Sequence, residues 1–335
     1  MTNAHRRFLT ADDLQRLLGR AGVGSPLTGH ELLAGGTYNS VYRLGFDDRP
    51  GLILKLSPDP SGAIMTYERG IVAAEAQFYG TAGERTGLPV PQVIALLELG
   101  SELGGGEALL VTELAGVPWS GSGHPARGPL RAELGRLVAA MHQVTGPAFG
   151  YPSESTGPLA GTWAEAFTAM MDAVLDDAQR YGAVLPVDPQ RVRQALLAGA
   201  VDLADVAEPV LVHFDLWDGN VLIDLTDRPR ISGIIDGERA LWGDPVMDFA
   251  SLALLREIRD DADFIRGYQE SGAVLALDPS ARRRLLLYRV YLGLIMTVEP
   301  IPRGYGQSES ELGALVNQQL VADLAELLTR PAEQE

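Results

Sequence analysis

The hydrophobic pattern of the chain changes its period about a third of the way along. Over the first 116 residues, five short β-rich runs alternate with turns, as in an antiparallel meander, and one segment, 64–82, has helical spacing. Beyond that the spacing is mostly helical, apart from a β-rich segment over 209–236. We therefore expect an α+β fold of two lobes, residues 1–114 with a leading helix and residues 115–335, with a ligand crevice between them.

Composition narrows the class of protein. Apolar residues make up 46 % of the chain, which is typical of a folded protein, and no apolar run is long enough for a membrane span. The net charge of −17 disfavours nucleic acid as a partner. The absence of cysteine excludes thiolate metal sites and cysteine nucleophiles. The first residues predict a short amphipathic helix rather than a signal peptide, so we expect a cytoplasmic protein. The oligomeric state is not predicted.

The segment His213-Phe-Asp215-Leu-Trp-Asp-Gly-Asn220 carries the strongest chemical signal. Phosphoryl transfer to a hydroxyl needs a carboxylate that orients the hydroxyl and accepts its proton, and it needs oxygen ligands for Mg²⁺. Asp215 fits the first role, Asn220 fits the second, and His213 would brace the loop. A polar turn between two strands is the plainer alternative.

Acidic residues follow at defined places. The next predicted strand ends at Asp236, where a rigid strand tip would hold a metal-binding carboxylate. Asp244 could cap the following helix or brace the catalytic loop. We expect structural roles for both Asp244 and Asp248.

Lys55 is the only lysine among 27 basic residues, and it lies in the apolar strand Leu-Ile-Leu-Lys-Leu. An inward-facing lysine needs an anionic partner, and its compact charge suits phosphate oxygens. We expect that partner to be Glu75, on the single predicted helix of this lobe, with Glu68 as the second choice. A lysine at a strand edge, extended towards solvent, is the alternative.

Taken in order, these motifs resemble those of the aminoglycoside phosphotransferase-like kinases, a family related to choline and fructosamine kinases. The resemblance runs from about residue 30 to 255 and is strongest over Ile235–Asp248. It implies a bilobal protein-kinase-like fold, with a five-stranded antiparallel sheet and one main helix in the N-terminal lobe. Phe214 departs from the pattern, because this family usually has glycine between the histidine and the aspartate.

The resemblance also assigns roles. It implies a nucleotide site that uses ATP or GTP, formed by Lys55, Glu75, Gly36, Asn39, Ser40, the carbonyl of Thr112 and the amide of Leu114. It implies that Asp215 is the catalytic aspartate and that Asn220 and Asp236 are the Mg²⁺ ligands.

The acceptor is less constrained. Only seven residues separate Asp236 from Asp244, which leaves no room for the long segment with which a protein kinase holds a peptide. Residues 201–270 contain 16 acidic and 6 basic residues, so a pocket for a cationic antibiotic and a solvated acidic surface are both consistent with the sequence. The candidate acceptor-binding residues are Trp217, Asp218, Glu238, Trp242, Tyr288 and Glu299.

The leading hypothesis is a Mg²⁺-dependent O-phosphotransferase that acts on a small hydroxylated molecule, such as an aminoglycoside or another sugar- or nucleoside-containing antibiotic, in a resistance role. The alternative is a metabolic kinase for choline, homoserine, a sugar or a fructosamine. A third hypothesis is an inactive nucleotide-binding regulator. The joint presence of the lysine, the aspartates and the asparagine argues against that third hypothesis.

Overall fold

The computed structural model of the protein describes residues 7–33, 39–125, 127–273, 277–306 and 310–329. Within these residues, the strands are β1 (Gly29–Leu32), β2 (Ser40–Gly45), β3 (Leu52–Leu56), β4 (Val93–Glu98), β5 (Glu107–Thr112), β6 (Val117–Pro118), β7 (Val210–Val212), β8 (Val221–Asp224), β9 (Arg230–Ile234) and β10 (Leu241–Gly243). The α-helices are α1 (Ala11–Arg20), α2 (Ile71–Thr86), α3 (Pro129–Met141), α4 (Trp163–Tyr181), α5 (Pro189–Ala198), α6 (Ala200–Ala204), α7 (Asp248–Leu252), α8 (Ala262–Glu270), α9 (Pro279–Val298) and α10 (Glu311–Leu328). The predicted α+β fold is confirmed.

Strands β1 to β5 form an antiparallel sheet in the order β1-β2-β3-β5-β4. Side chains of β3 alternate between the two faces, as in any strand. Leu52, Leu54 and Leu56 point to the face that α1 covers, where they share a buried cluster with Leu14. Lys55 therefore points to the opposite face, towards α2.

Helix α2 begins later than the sequence spacing predicts. The predicted segment 64–82 contains a 3₁₀ turn, Thr66–Glu68, and the helix itself starts at Ile71. Gly70 separates them in the left-handed conformation, with φ of 68°, which glycine adopts at little cost. Glu75 is thus kept on the helix, while Glu68 lies on the preceding turn.

The C-terminal part contains two small sheets among its helices, β6-β8-β9 and β7-β10. Two helices of this part, α5 and α6, follow each other directly and are separated at Gly199. A Cβ atom at Gly199 would lie 2.7 Å from Cδ1 of Leu287, so a larger residue there would have to displace that side chain of α9.

One buried cluster contains residues from both parts of the chain, such as Phe78 of α2, Val111 of β5 and Trp163 of α4. The two parts therefore pack directly against each other, and the predicted division at residue 114 stays a prediction. Among the described residues, no helix combines the length and the apolar character that crossing a membrane requires.

Candidate active site

The loop between β7 and β8 is held by two side chains of α7. Asp248 accepts hydrogen bonds from the amides of His213, at 3.1 Å, and Phe214, at 2.7 Å. Ser251 Oγ accepts from the amide of Leu216 at 3.0 Å. Because Asp248 is buried, its carboxylate fixes the backbone just before the predicted catalytic aspartate.

His213 connects this loop to the end of β9. Its Nδ1 accepts a hydrogen bond from the amide of Asp215 at 3.2 Å, and its Nε2 lies 3.0 Å from the carbonyl oxygen of Ile235. Since Nδ1 is the acceptor, Nε2 carries the proton that is donated to Ile235. His213 thereby sets the distance between Asp215 and the segment that holds Asp236.

Within the described part of the chain, two polar side chains contact the Asp215 carboxylate. Asn220 Nδ2 lies 3.1 Å from Oδ2, and Arg239 donates to Oδ1 at 3.2 Å. Burial raises the pKa of Asp215, and the Arg239 guanidinium opposes that rise. About a fifth of the side chain, 22 %, is exposed, so a hydroxyl can approach the carboxylate.

Lys55 is surrounded by three carboxylates. Its Nζ lies 2.6 Å from Glu75, 2.5 Å from Asp236 and 2.6 Å from Glu238. Burial opposes the charge on Lys55, but these carboxylates raise its pKa well above the usual value. Burial alone would raise the pKa of Asp236, yet Lys55 outweighs it and lowers that pKa, whereas burial raises the pKa of Glu238 to about 8. The expected pairing of Lys55 with Glu75 is present, and Glu68 instead contacts Arg303 at 2.6 Å.

Tyr79 joins two members of this cluster. Its hydroxyl donates to Glu75 Oε1 at 2.6 Å and accepts from the amide of Asp236 at 2.9 Å. The helix that presents Glu75 therefore also fixes the backbone at Asp236.

The predicted metal ligands lie at adjacent strand ends. The amide of Ile235 donates to the carbonyl oxygen of Asn220 at 3.0 Å, which places Asn220 beside the residue that precedes Asp236. The Asn220 side-chain amide nitrogen is used within the loop, so its oxygen can serve as a ligand. Carboxylate and amide oxygens suit Mg²⁺, and the cluster of Glu75, Asp236 and Glu238 has more negative charge than Lys55 neutralises. These residues fit a divalent cation.

Two non-glycine residues at this site have left-handed backbone conformations, Phe214 with φ of 57° and Asp236 with φ of 64°. Such conformations cost about 1–2 kcal/mol for residues with a side chain. Conformations of this kind are concentrated at functional sites, which supports the assignment.

The predicted nucleotide loop is only partly within the described residues. Gly36 lies outside them. Asn39 Nδ2 donates to Glu238 Oε2 at 2.7 Å, so it faces the Lys55 cluster. Ser40 is buried, and its hydroxyl accepts a hydrogen bond from the amide of Arg7 at 2.8 Å, so its place in the nucleotide site stays a prediction.

The backbone groups of Thr112 and Leu114, which are predicted to bind the nucleotide, lie where β5 ends. Thr112 ends the strand, and the amide of Glu113 donates to the carbonyl oxygen of Gly51 at 3.2 Å. Among the hydrogen bonds of the described residues, none uses the amide of Leu114. That amide can therefore bind a ligand.

The candidate acceptor-binding residues lie in different environments. Trp217, two residues after Asp215 in the loop, is 48 % exposed. Asp218 is paired with Arg131 at 3.1 Å, and Glu299 is buried against Arg239 at 2.8 Å.

Three acceptor assignments are corrected. Glu238 contacts Lys55, which is predicted to bind the nucleotide. Trp242 and Tyr288 are buried, with 4 % and 0 % exposed, so neither side chain is at a pocket wall. Their size and apolar surface place them in the core instead.

Asp244 and Asp248 both have structural contacts, as expected. Which of them caps a helical turn and which braces the predicted catalytic loop becomes clear from their hydrogen bonds. Asp244 caps the 3₁₀ turn Pro245–Met247 and contacts Arg284 and Tyr288. The bracing of the catalytic loop, which the sequence offered to Asp244, belongs to Asp248.

Sequence reasoning missed Arg239 and Tyr79, which touch Asp215 and Glu75, respectively. A signal for Tyr79 was available, because it lies one helical turn after Glu75 on the same face of α2. No comparable signal exists for Arg239, because its partner Glu299 is distant in the sequence.

Comparison with known proteins gives one family and several similar folds. Residues 29–286 match the model of the phosphotransferase enzyme family. A probable ketoamine kinase of Lactiplantibacillus plantarum is 29 % identical over 172 residues, which cover 48 % of this chain and 58 % of that protein. A probable ketoamine kinase of Synechocystis is 29 % identical over 167 residues, which cover 47 % of this chain and 52 % of that protein. The chain thus spans little more than half the length of these curated relatives.

Solved structures share the fold. A Thermobifida fusca protein, provisionally assigned as a fructosamine-3-kinase, has a TM-score of 0.69 at 22 % identity and covers 96 % of this chain and 100 % of its own. An aminoglycoside phosphotransferase in ternary complex with AMP-PNP and hygromycin B has a TM-score of 0.61 at 20 % identity, with coverages of 94 % and 99 %. The macrolide 2′-phosphotransferase of Brachybacterium faecium has a TM-score of 0.59 at 21 % identity, with coverages of 96 % and 100 %.

Proposed function

Because the chain belongs to the phosphotransferase enzyme family, we propose that it transfers the γ-phosphoryl group of a nucleoside triphosphate to a hydroxyl group of a small molecule. The observation that carries this proposal is the convergence of Lys55 and Asp236, with Nζ and Oδ1 2.5 Å apart, beside the loop that holds Asp215 and Asn220. Lys55 is far in the sequence from the other three residues, so only the fold brings it to them.

Each residue has a role in this reaction. Lys55 binds phosphate oxygens, and Glu75 keeps its ammonium group in place. Asp215 orients the acceptor hydroxyl and takes its proton. A new bond forms between that hydroxyl oxygen and the γ-phosphorus while the bond to the bridging oxygen of the diphosphate breaks. Asn220 and Asp236 would hold Mg²⁺, which neutralises phosphate charge when bound.

The nucleotide is proposed to bind with its base at the segment after β5. The carbonyl of Thr112 and the amide of Leu114 present one acceptor and one donor there, and the edge of adenine offers the complementary pair. We propose ATP as the co-substrate, which the AMP-PNP complex of a protein with a similar fold supports. GTP is the alternative to test alongside it.

For the acceptor, we propose a ketoamine, a ketose that carries an amine on its first carbon. Both curated relatives named above are probable ketoamine kinases. The charges near Asp215 also favour a weakly charged acceptor, because the nearby carboxylates have partners. Asp218 pairs with Arg131 and Glu299 with Arg239. Each of these carboxylates already has a guanidinium partner, which lowers its attraction for a polycation.

An antibiotic acceptor is the second candidate. It is supported by the fold shared with proteins that phosphorylate aminoglycosides and macrolides. The indole of Trp217, which is 48 % exposed and lies in the same loop as Asp215, suits the face of a sugar ring in either class of acceptor.

The test is a screen for ADP release with ketoamines, choline, homoserine, aminoglycosides and macrolides, and with mass spectrometry to detect an added phosphate. We expect phosphorylation of a ketoamine. Asp215→Asn should lower kcat by about 10²–10⁴-fold while ATP still binds. Asp224→Asn, at a carboxylate that pairs with Arg230 at 2.8 Å, away from Asp215, is the matched control and should keep full activity. Nucleotide binding without transfer to any acceptor would contradict the proposal and favour a regulator.

A further inference from the structure

Arg239 bridges the predicted catalytic aspartate to a second buried carboxylate. Its Nη1 donates to Asp215 Oδ1 at 3.2 Å, and its Nη2 donates to Glu299 Oε2 at 2.8 Å. Of the two side chains that contact the Asp215 carboxylate among the described residues, the other, Asn220, contacts Oδ2. Arg239 is therefore the side chain that restrains Oδ1.

The surroundings of Arg239 show that its position is set by these carboxylates. The side chain is 8 % exposed and its guanidinium carbon lies 5.8 Å from the centre of the Tyr67 ring. Its Nε is buried without a hydrogen-bond partner. Buried donors in a region that serves only the fold are nearly always satisfied. An arginine that leaves one donor unused while reaching two carboxylates is placed for those carboxylates.

Glu299 is itself held from two directions. It forms an ion pair with Arg303, and the Tyr67 hydroxyl donates to it at 3.3 Å. Arg303 continues the network to Glu68, on the turn before α2, at 2.6 Å. The bridge from Arg239 therefore ends on a rigid, buried assembly rather than on a solvated side chain.

We propose that Arg239 is a positioning residue, which holds the Asp215 carboxylate in the orientation that receives the acceptor hydroxyl, and that Glu299 fixes Arg239 in that position. The inference rests on the proposed phosphotransferase function. It extends that function because it names a residue outside the β7–β8 loop as the one that orients the predicted catalytic carboxylate.

The kinetic experiment compares Arg239→Met with Arg303→Met. Both variants remove one guanidinium from the same buried network, but only the first removes a contact to Asp215. We expect Arg239→Met to lower kcat by about 10²-fold, because a small displacement of a reacting group has effects of this size. The KM for ATP should stay within about twofold of the wild type, since Arg239 does not touch the nucleotide residues. Arg303→Met should lower kcat by much less.

A crystal structure of the Arg239→Met variant gives a readout that needs no acceptor. The Asp215 side chain should rotate or become disordered, while Lys55 and Asp236 keep their contact. If the wild type phosphorylates no acceptor, the proposed function fails, and this structure still decides the role of Arg239. Should Arg239→Met not fold, Arg239→Lys serves in both experiments, because a single ammonium cannot bridge both carboxylates. An unchanged Asp215 orientation, or a kcat within about twofold of the wild type, would overturn the inference.

Discussion

The ring of Phe214 stacks on the ring of Tyr291, with centroids 5.7 Å apart and planes inclined by 18°. The backbone of Phe214 is nevertheless left-handed, with φ of 57°, where a side chain is a disadvantage. The related family usually has glycine at this position. The stacking of Phe214 on Tyr291 in the core therefore offsets the backbone strain beside Asp215. This explains why a phenylalanine can occupy the position.

This relationship predicts an unusual order of stability. Phe214→Ala should destabilise the protein by about 3–5 kcal/mol, because a buried ring is lost. Phe214→Gly should be less destabilised than Phe214→Ala by about 1 kcal/mol, since glycine adopts positive φ without strain. Urea unfolding of the three proteins measures both differences. If the alanine variant were the more stable of the two, the left-handed conformation would not be present in solution.

We expect that arginine cannot replace Lys55 in binding phosphate oxygens. Lys55→Met leaves three clustered carboxylates without the ammonium group, so we expect a loss of about 3–5 kcal/mol in the free energy of unfolding. We expect kcat/KM to fall by about 10²–10³-fold. Lys55→Arg should restore part of the stability but little of the activity, because its planar fork cannot occupy the same point. Equal activity of the arginine variant and the wild type would contradict this role.

Tyr79→Phe should weaken both fold and metal binding. It removes a donor to Glu75 and an acceptor for the amide of Asp236, which costs about 1–3 kcal/mol. We also expect a higher Mg²⁺ concentration for half-maximal ATP binding, measured by calorimetry. Tyr181→Phe is the matched control, because its hydroxyl donates to the carbonyl oxygen of Ile64 at 2.7 Å, away from the cluster. If both variants needed the same increase in Mg²⁺ concentration, Tyr79 would not support metal binding through Asp236.

We expect the free energy of unfolding to depend on pH through the ionisation of Asp323. Burial raises its pKa to about 6, against the effect of Arg289, whose Nε lies 2.9 Å away. Since the folded-state pKa lies above the unfolded value, the stabilising contribution of protonation is complete below about pH 4 and lost as the pH rises through about 6.

Asp323→Asn does not titrate, so its stability relative to the wild type should improve between about pH 4 and pH 7 by an amount on the order of 2–3 kcal/mol. Denaturant unfolding of both proteins at several pH values measures this trend. Parallel pH profiles of the two proteins would show that Asp323 keeps its ordinary pKa.

Several features follow from the sequence because they depend on local periodicity. Alternation along β3 turns Lys55 to the face opposite its leucine neighbours, and the one long helix of that region brings Glu75 to meet it. Motif spacing similarly indicated that Asp215, Asn220 and Asp236 would lie together.

Other features depend on tertiary contacts that a single sequence does not encode locally. The direction of the Ser40 hydroxyl depends on the N-terminal segment that crosses its strand. Glu238 and Trp242 lie in the same short segment, yet one contacts Lys55 and the other is core. The bridge from Arg239 to Glu299 joins residues whose proximity arises only when α9 docks.

The four tryptophans of the chain differ sharply in their environments. Trp119, Trp163 and Trp242 are 2 %, 0 % and 4 % exposed, whereas Trp217, in the loop that holds Asp215, is 48 % exposed. A collisional quencher in solution will therefore reach the indole of Trp217 far more readily than the others. The protein has its own fluorescent reporter at that position, so a compound that covers Trp217 can be detected by protection of its emission, without a label and without turnover.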